Sequence, residues 1–177
     1  MKIRLSNPLQ SDSIVDGEGI RTVIWTQGCP HHCKGCHNPE THSFNKGFLK
    51  ETSEIIEEIK SLELQDGITF SGGDPMVQPE ACLEIAKACK EMNLNIWCYT
   101  GFMFEELLED PIKVEFLKYI DLSLNIELST LYPKLIKYIS INTAVVLVLP
   151  SLKGCICQIE EVNIEILLIK STIFISL

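Results

Sequence analysis

The sequence predicts an α/β fold with a largely parallel β-sheet, and three observations carry this prediction. Short β-prone runs alternate with segments of helical periodicity over residues 22–119. Each β-prone run ends at glycine, so the loops after successive parallel strands meet at one edge of the sheet. The chain of 177 residues is long enough for one domain with a single hydrophobic core.

Three strands are predicted, each bounded by a turn signal. The first covers Thr22–Thr26 and leads through Gln-Gly into a cysteine-rich loop. The second covers Gly67–Ser71 and breaks at the Gly-Gly-Asp-Pro turn of residues 72–75. The third covers Leu94–Thr100 and stops at Gly101. We therefore expect the cysteine-rich loop and the Gly-Gly-Asp-Pro turn to emerge side by side.

The segment between the first two strands predicts a helix over Glu51–Leu62. Thr52 or Ser53 is the candidate N-cap, and acidic residues follow in the first turn. One helical face carries the apolar residues Ile55, Ile56, Ile59 and Leu62.

A second helix is predicted to begin at Pro79, which suits the first helical position. The apolar face of this helix consists of Cys82, Ile85, Ala86, Cys89 and Met92. Because an apolar helix face packs against the core, we predict that both of these cysteines are core residues. Two shorter helices are predicted over Phe104–Leu108 and Lys113–Tyr119. Cys98 is expected to be a core residue of the third strand.

Composition excludes several functional classes. The net charge of −9 gives no basic surface for a phosphate backbone, so nucleic acid is not an expected partner. We find no apolar stretch of signal-peptide or bilayer-spanning length and expect a cytoplasmic protein without membrane association. In a reducing compartment the eight cysteines are expected to be thiols or metal ligands.

The composition changes partway along the chain. Residues 1–121 carry the whole surplus of negative charge, whereas residues 122–177 are electrically neutral and contain 22 Ile or Leu. We expect residues 1–121 to form the functional core and residues 122–177 to be an atypical Ile/Leu-rich segment of the same domain. A reading-frame change or truncation is one hypothesis for this segment, and additional strands around Thr143–Leu149 are another. Cys155 and Cys157 are expected to be free thiols.

The residues with the clearest chemistry form a Cys-x3-Cys-x2-Cys motif of Cys29, Cys33 and Cys36. These three thiolates would leave one iron of a 4Fe-4S cluster without a protein ligand, which opens that iron to another molecule. A tetrahedral Cys3His zinc site is the alternative, with a histidine from the set His31, His32, His37 and His42. Zinc sites usually draw on a second short-spaced ligand pair, and no such pair lies at a suitable distance downstream.

Residues 15–25 (VDGEGIRTVIW) and 27–41 (QGCPHHCKGCHNPET) resemble the activating proteins of anaerobic (class III) ribonucleoside-triphosphate reductase, within the radical S-adenosylmethionine (SAM) superfamily. Residues 71–75 (SGGDP) are similar to the glycine-rich SAM-binding element of that family, and residues 97–102 (WCYTGF) to its third strand. The resemblance covers residues 6–121. It ends at Leu122, beyond which the expected Asp-Gly turn and Arg-Gly-Ser segment are missing.

The resemblance implies a partial (βα) barrel of the radical SAM type with one 4Fe-4S cluster and SAM as cofactors. The cluster ligands would be Cys29, Cys33 and Cys36. Successive glycines let backbone groups approach a ligand directly. The implied SAM contacts are Gly35, Cys36, His37, Gly72, Gly73 and Asp74. His31 and His32 are expected to be solvated loop residues, whereas Asp16 and Glu18 would order the loop before the first strand.

The implied activity is reductive cleavage of SAM and generation of a glycyl radical on the large subunit of the reductase. A low-potential electron donor such as flavodoxin would supply the electron. Because the cofactors carry out the chemistry, no catalytic acid–base pair or nucleophile is expected. The alternatives are a pyruvate formate-lyase type activase and a non-catalytic iron–sulfur or zinc binding module. Gly35, where many radical SAM enzymes have an aromatic residue, favours the reductase activators.

Overall fold

The computed structural model describes residues 1–125, 140–141 and 144–147. The nine described strands belong to one sheet. They are β1 (Lys2–Leu5), β2 (Gln10–Ser13), β3 (Arg21–Thr26), β4 (Phe48–Glu51), β5 (Gly67–Gly72), β6 (Asn95–Thr100), β7 (Leu122–Asn125), β8 (Ser140–Ile141) and β9 (Ala144–Leu147). The predicted first, second and third strands correspond to β3, β5 and β6, with boundaries that differ by one residue.

The centre of the sheet is parallel, which confirms the predicted α/β class. The strand order is β4-β1-β3-β5-β6-β7-β9-β8, and β3, β5, β6, β7 and β9 run parallel to their neighbours in this series. β1, β2, β4 and β8 add antiparallel pairs at the flanks, and none of these four strands was predicted from the sequence. In the pairing of β3 with β5, Thr26 lies opposite Gly72, so both strands end at the same edge.

The four described α-helices connect strands of this sheet. They are α1 (Thr52–Lys60), α2 (Pro79–Glu91), α3 (Phe104–Leu108) and α4 (Pro111–Leu117). α2 packs against α1 and α4 and against β1, β5 and β6. α4 begins two residues earlier than predicted because the Asp110 carboxylate accepts hydrogen bonds from the backbone N–H groups of Ile112 and Lys113.

The predicted N-cap of α1 is wrong. The N-cap is Glu51, and no side chain caps the helix there. The Thr52 hydroxyl instead donates a hydrogen bond to the Met1 carbonyl oxygen at 2.9 Å. Pairing of β1 with β4 brings the N-terminus to this point, and a partner so distant in sequence leaves no local signal.

The core lies between the sheet and the helices, and it includes the three cysteines predicted to be structural. Cys82, Cys89 and Cys98 are free thiols without exposed surface. Burial raises the pKa of Cys89 to about 12 and also raises the pKa values of Cys82 and Cys98. Because they pack in the core and have no exposed surface, these three thiols are structural residues, as predicted.

The part of the chain after Leu122 contributes strands to the same sheet. β7 pairs in parallel with β6 and with β9. The β-prone run at Thr143–Leu149 thus includes a described strand, β9, whereas Cys155 and Cys157 lie outside the described residues. No helix within the described ranges is long and apolar enough to cross a membrane.

Candidate functional site

The cysteine loop, residues 27–43, begins where β3 ends, and hydrogen bonds join its first residues to its last. The Gly28 and Cys29 N–H groups donate to the carbonyl oxygens of Thr41 and His42, at 2.8 and 3.2 Å. The Gln27 side chain donates to the Ser43 carbonyl oxygen at 2.6 Å. These bonds close the loop on itself, so Cys29 has a fixed position beside the end of β3.

Within the loop, Cys29, Cys33 and Cys36 are partly buried thiols. The Cys36 N–H donates to the Cys33 carbonyl oxygen at 3.2 Å, and the Asn38 N–H points to the Cys36 Sγ at 3.4 Å. Burial raises the pKa of Cys29 to about 11, and the nearby negative charges of Asp74, Cys33 and Cys36 act in the same direction. All three thiols thus lie on one short loop, with Cys33 and Cys36 near enough to Cys29 to influence its charge.

The Gly-Gly-Asp-Pro turn lies against the start of this loop, as the parallel sheet predicts. The Gly73 N–H donates to the Thr26 carbonyl oxygen at 2.7 Å, and the Asp74 N–H donates to the Gly28 carbonyl oxygen at 2.8 Å. The backbone of the turn is therefore bonded directly to the last residue of β3 and to the residue before Cys29.

Gly73 permits this approach because it has no side chain. A Cβ atom on Gly73 would overlap the Gly28 carbonyl oxygen and lie 2.8 Å from the Gly28 carbonyl carbon. Gly72 has a φ of 98°, a backbone conformation that favours glycine. We call Gly72 and Gly73 the glycine cradle, because a Cβ atom on either residue would overlap the neighbouring backbone.

We predict that Gly73→Ala lowers the free energy of unfolding by about 1–3 kcal/mol, because the turn must move away from the cysteine loop. Gly35→Ala is the comparison: its Cβ meets nothing within 4 Å, but its φ of 80° adds a strain of about 1 kcal/mol. Urea unfolding of both variants measures the difference. Equal loss in the two variants would show that the contact with Gly28 is not tight.

Asp74 and His31 meet at this edge, and the expectation that His31 is solvated is wrong. The His31 Nε2 lies 2.9 Å from the Asp74 Oδ2, and the Asp74 side chain is only 1% exposed. The ring has room because Gly101, at the end of β6, has no Cβ to occupy that space. The sequence did not reveal the pair, because 43 positions separate its members. His32 is exposed, as predicted.

The other predicted contact residues lie on the outer side of the cysteine loop. Gly35 and His37 are exposed, and the space around Gly35 is open. They share the loop with the three thiols, whereas Gly72, Gly73 and Asp74 approach from β5. The structure thus brings the two predicted groups of residues to one edge of the sheet.

Arg21 lies at the opposite end of β3, where only 1% of its surface is exposed to solvent. Its guanidinium donates to the Thr69 hydroxyl at 2.7 Å and to the Ile68 carbonyl oxygen at 2.6 Å. The carbon at the centre of the guanidinium lies 4.9 Å from the centroid of the Trp97 ring. Burial lowers the pKa of Arg21 to about 10. This buried cation ties β3 to β5 and β6, but the sequence pattern did not identify it.

The residues at the sheet edge fit a cluster that has three protein ligands. Three cysteine thiols on one loop match the donor preference of iron–sulfur clusters. The glycine cradle beside them offers close backbone approach, and the open space at Gly35 admits a second molecule next to Cys36.

Comparisons with known proteins identify the same part of the chain. Residues 15–137 match a family described as a 4Fe-4S single cluster domain. The anaerobic ribonucleoside-triphosphate reductase-activating protein of Haemophilus influenzae is 34% identical over 116 residues, which cover 61% of this chain and 74% of that protein. The activating protein of the same name from Enterobacteria phage T4 is 32% identical over 114 residues, which cover 60% of this chain and 70% of the phage protein.

A second group of relatives carries a different name. The pyruvate formate-lyase-activating enzyme of Clostridium pasteurianum is 37% identical over 92 residues, which cover 49% of this chain. The match spans only 39% of the length of that enzyme. Among solved structures, QueE from Escherichia coli superposes with a TM-score of 0.51 at 13% identity, covering 82% of both chains. That likeness supports the fold alone.

Proposed function

This chain belongs to the family of anaerobic ribonucleoside-triphosphate reductase-activating proteins, built on a 4Fe-4S single cluster domain, and on that premise we propose that it is a radical SAM activase. It would cleave SAM reductively and generate a glycyl radical on the large subunit of the anaerobic reductase. The observation that carries the proposal is that a loop with three cysteine thiols lies against a glycine cradle at one edge of a parallel sheet.

Each residue at the edge has a defined part in the proposal. Cys29, Cys33 and Cys36 would hold one 4Fe-4S cluster. The backbone of Gly72, Gly73 and Asp74 would bind the methionine end of SAM, and Gly35, Cys36 and His37 would contact SAM from the cysteine loop. When bound, the cluster and SAM supply one-electron cleavage of a sulfonium bond and abstraction of a hydrogen atom from carbon. The chain itself binds, aligns and excludes water.

The partners follow from this chemistry. The glycine that loses a hydrogen atom would belong to the reductase, and a low-potential donor such as flavodoxin would provide the electron. The protein would act in a reducing compartment such as the cytoplasm, where cysteines remain thiols or metal ligands. Residues 1–121 would contain the whole cofactor site, with residues 122–177 completing the same domain.

A second candidate is activation of pyruvate formate-lyase, favoured by the 37% identity to the Clostridium pasteurianum enzyme. The two candidates share the cofactor site and differ in the protein that carries the glycine. Coverage favours the reductase activators, because the match includes 74% of the Haemophilus influenzae protein and 39% of the clostridial enzyme.

The experiment is anaerobic reconstitution of the full chain with iron and sulfide, followed by reduction and incubation with SAM and either partner enzyme. We expect release of methionine and 5′-deoxyadenosine and an electron paramagnetic resonance (EPR) doublet of a glycyl radical on the reductase. A reductase whose radical-bearing glycine is replaced by alanine is the control. A radical only on pyruvate formate-lyase would favour the second candidate, and a colourless protein that holds zinc would overturn both.

A further inference from the structure

We propose that His31 and Asp74 form a bridge that positions the cysteine loop against the glycine cradle. In this arrangement the Asp74 carboxylate accepts hydrogen bonds only from groups of the protein. The backbone of Asp74, and not its side chain, would contact SAM. The inference rests on the proposed function and deepens it, because it assigns a positioning role to a histidine between two of the cluster ligands.

The Asp74 carboxylate receives donors from three parts of the fold. The Met76 N–H donates to Oδ1 at 2.9 Å from within the same turn. At the end of β6, the Thr100 hydroxyl lies 3.0 Å from both carboxylate oxygens and the Gly101 N–H donates to Oδ2 at 2.8 Å. From the cysteine loop, the His31 Nε2–H donates to Oδ2 at 2.9 Å. One buried side chain therefore ties the cysteine loop, β5 and β6 together.

These donors use all of the hydrogen-bond acceptor sites of the Asp74 carboxylate. A carboxylate has about four lone-pair sites, and four separate groups already donate to this one. The side chain also has no exposed surface through which a ligand could reach it. The Asp74 N–H is also occupied, by the Gly28 carbonyl oxygen, so the contact of Asp74 with SAM would use its main-chain carbonyl oxygen, which keeps a second lone pair beside its bond from the Val77 N–H.

His31 connects the Asp74 carboxylate to the segment of the loop that carries Cys29 and Cys33. It lies two residues after Cys29 and two before Cys33, and one donor atom from each of Cys29, His31 and Asp74 lies within 4.8 Å of the others. The ring is fixed on its other side by Phe102, in an edge contact with centroids 4.6 Å apart. A shift of His31 would therefore displace the Cys29–Cys33 segment, and small displacements of a reacting centre are costly.

The same three donor atoms resemble a site for a divalent cation. The carboxylate is already saturated by neighbouring donors, and Cys29 is one of the proposed cluster ligands. The geometry is therefore better explained as a hydrogen-bonded bridge than as a separate metal site.

Gly101 offers an independent way to disturb the bridge. A Cβ at this position would lie 2.5–2.9 Å from three atoms of the His31 ring. Gly101→Ala should therefore push the ring away from Asp74 without changing either member of the pair. In a double variant that also carries His31→Ala, the added methyl group has no ring to strike, so the two effects should not add.

The test uses reconstituted full-length protein and measures iron content, the dissociation constant for SAM and the SAM-induced change in the EPR spectrum of the reduced cluster. We expect His31→Ala to retain iron but to bind SAM at least about tenfold more weakly, with a diminished spectral change. His31→Gln, whose amide can still donate to Asp74, should restore most of the affinity. His32→Asn is the control, because His32 is exposed and asparagine tolerates its φ of 49°.

The outcomes separate this inference from the proposed function. If wild-type protein shows no spectral response to SAM, the proposed function fails, and the bridge fails with it. If wild-type protein responds and His31→Ala responds equally, only the bridge is overturned. If His31→Ala assembles no cluster, restoration of both cluster and SAM response by His31→Gln supports the bridge, whereas failure of His31→Gln contradicts it. Additive losses in the Gly101→Ala and His31→Ala double variant also contradict it.

Discussion

Replacing any one of Cys29, Cys33 and Cys36 by alanine is expected to abolish cluster assembly and all cleavage of SAM. Each variant leaves two thiols on the loop, too few to hold a cluster that, as proposed, would have only three protein ligands. The loss should be complete, because the free iron position depends on the other three positions being filled. Iron and sulfide analysis after anaerobic reconstitution, followed by chromatography of 5′-deoxyadenosine, measures both effects.

Cys89→Ala is the matched control for these variants. Cys89 is a fully buried thiol of α2, outside the cysteine loop, so its removal should leave the iron content at the wild-type level. If a Cys29, Cys33 or Cys36 variant retains wild-type iron, the assignment of that residue as a ligand is wrong. If Cys89→Ala loses the cluster while remaining folded, the ligand set itself is wrong.

Arg21→Ala is expected to lower the free energy of unfolding by about 3–5 kcal/mol. The Arg21 side chain makes five hydrogen bonds, to Thr69, Glu18, Ile68 and both oxygens of Asn95. Its removal leaves buried carbonyl oxygens without donors and opens a cavity beside the Trp97 ring. The ion pairs of the described residues do not include Arg21, so the loss comes from hydrogen bonding and packing.

The midpoint and slope of urea unfolding measure this loss. Arg4→Ala is the control, because the Arg4 guanidinium makes an exposed hydrogen bond to the Lys46 carbonyl oxygen and should contribute less than about 1 kcal/mol. Arg21→Lys should fall between wild type and Arg21→Ala, because a single ammonium cannot reproduce the planar fork of donors. Equal destabilisation by the Arg4 and Arg21 variants would contradict the role given to Arg21.

The central strands and α2 could be predicted because their signals are local. β3, β5 and β6 are dense in β-branched and aromatic residues, and Pro79 marks the start of α2. The parallel arrangement followed from alternation of strands and helices, which in turn placed the cysteine loop beside the Gly-Gly-Asp-Pro turn.

The flanking strands and the bridge could not be predicted because their partners are distant in sequence. β2 reads Gln-Ser-Asp-Ser and has no apolar residue, so its pairing with β3 alone makes it a strand. His31 looks like an ordinary loop residue, since Asp74 and Gly101, which define its place, belong to β5 and β6 turns far along the chain. Arg21 would be expected on the surface, but backbone carbonyl oxygens of neighbouring strands accept its donors in the interior.

The most direct test of the whole account is the EPR spectrum of the reduced wild-type protein, reconstituted anaerobically and recorded with and without SAM. We predict a 4Fe-4S signal whose shape changes when SAM is added, because three cysteine ligands would leave one iron open and the glycine cradle lies against the cysteine loop. A protein that assembles no cluster, or a cluster whose signal is the same with and without SAM, would contradict the account.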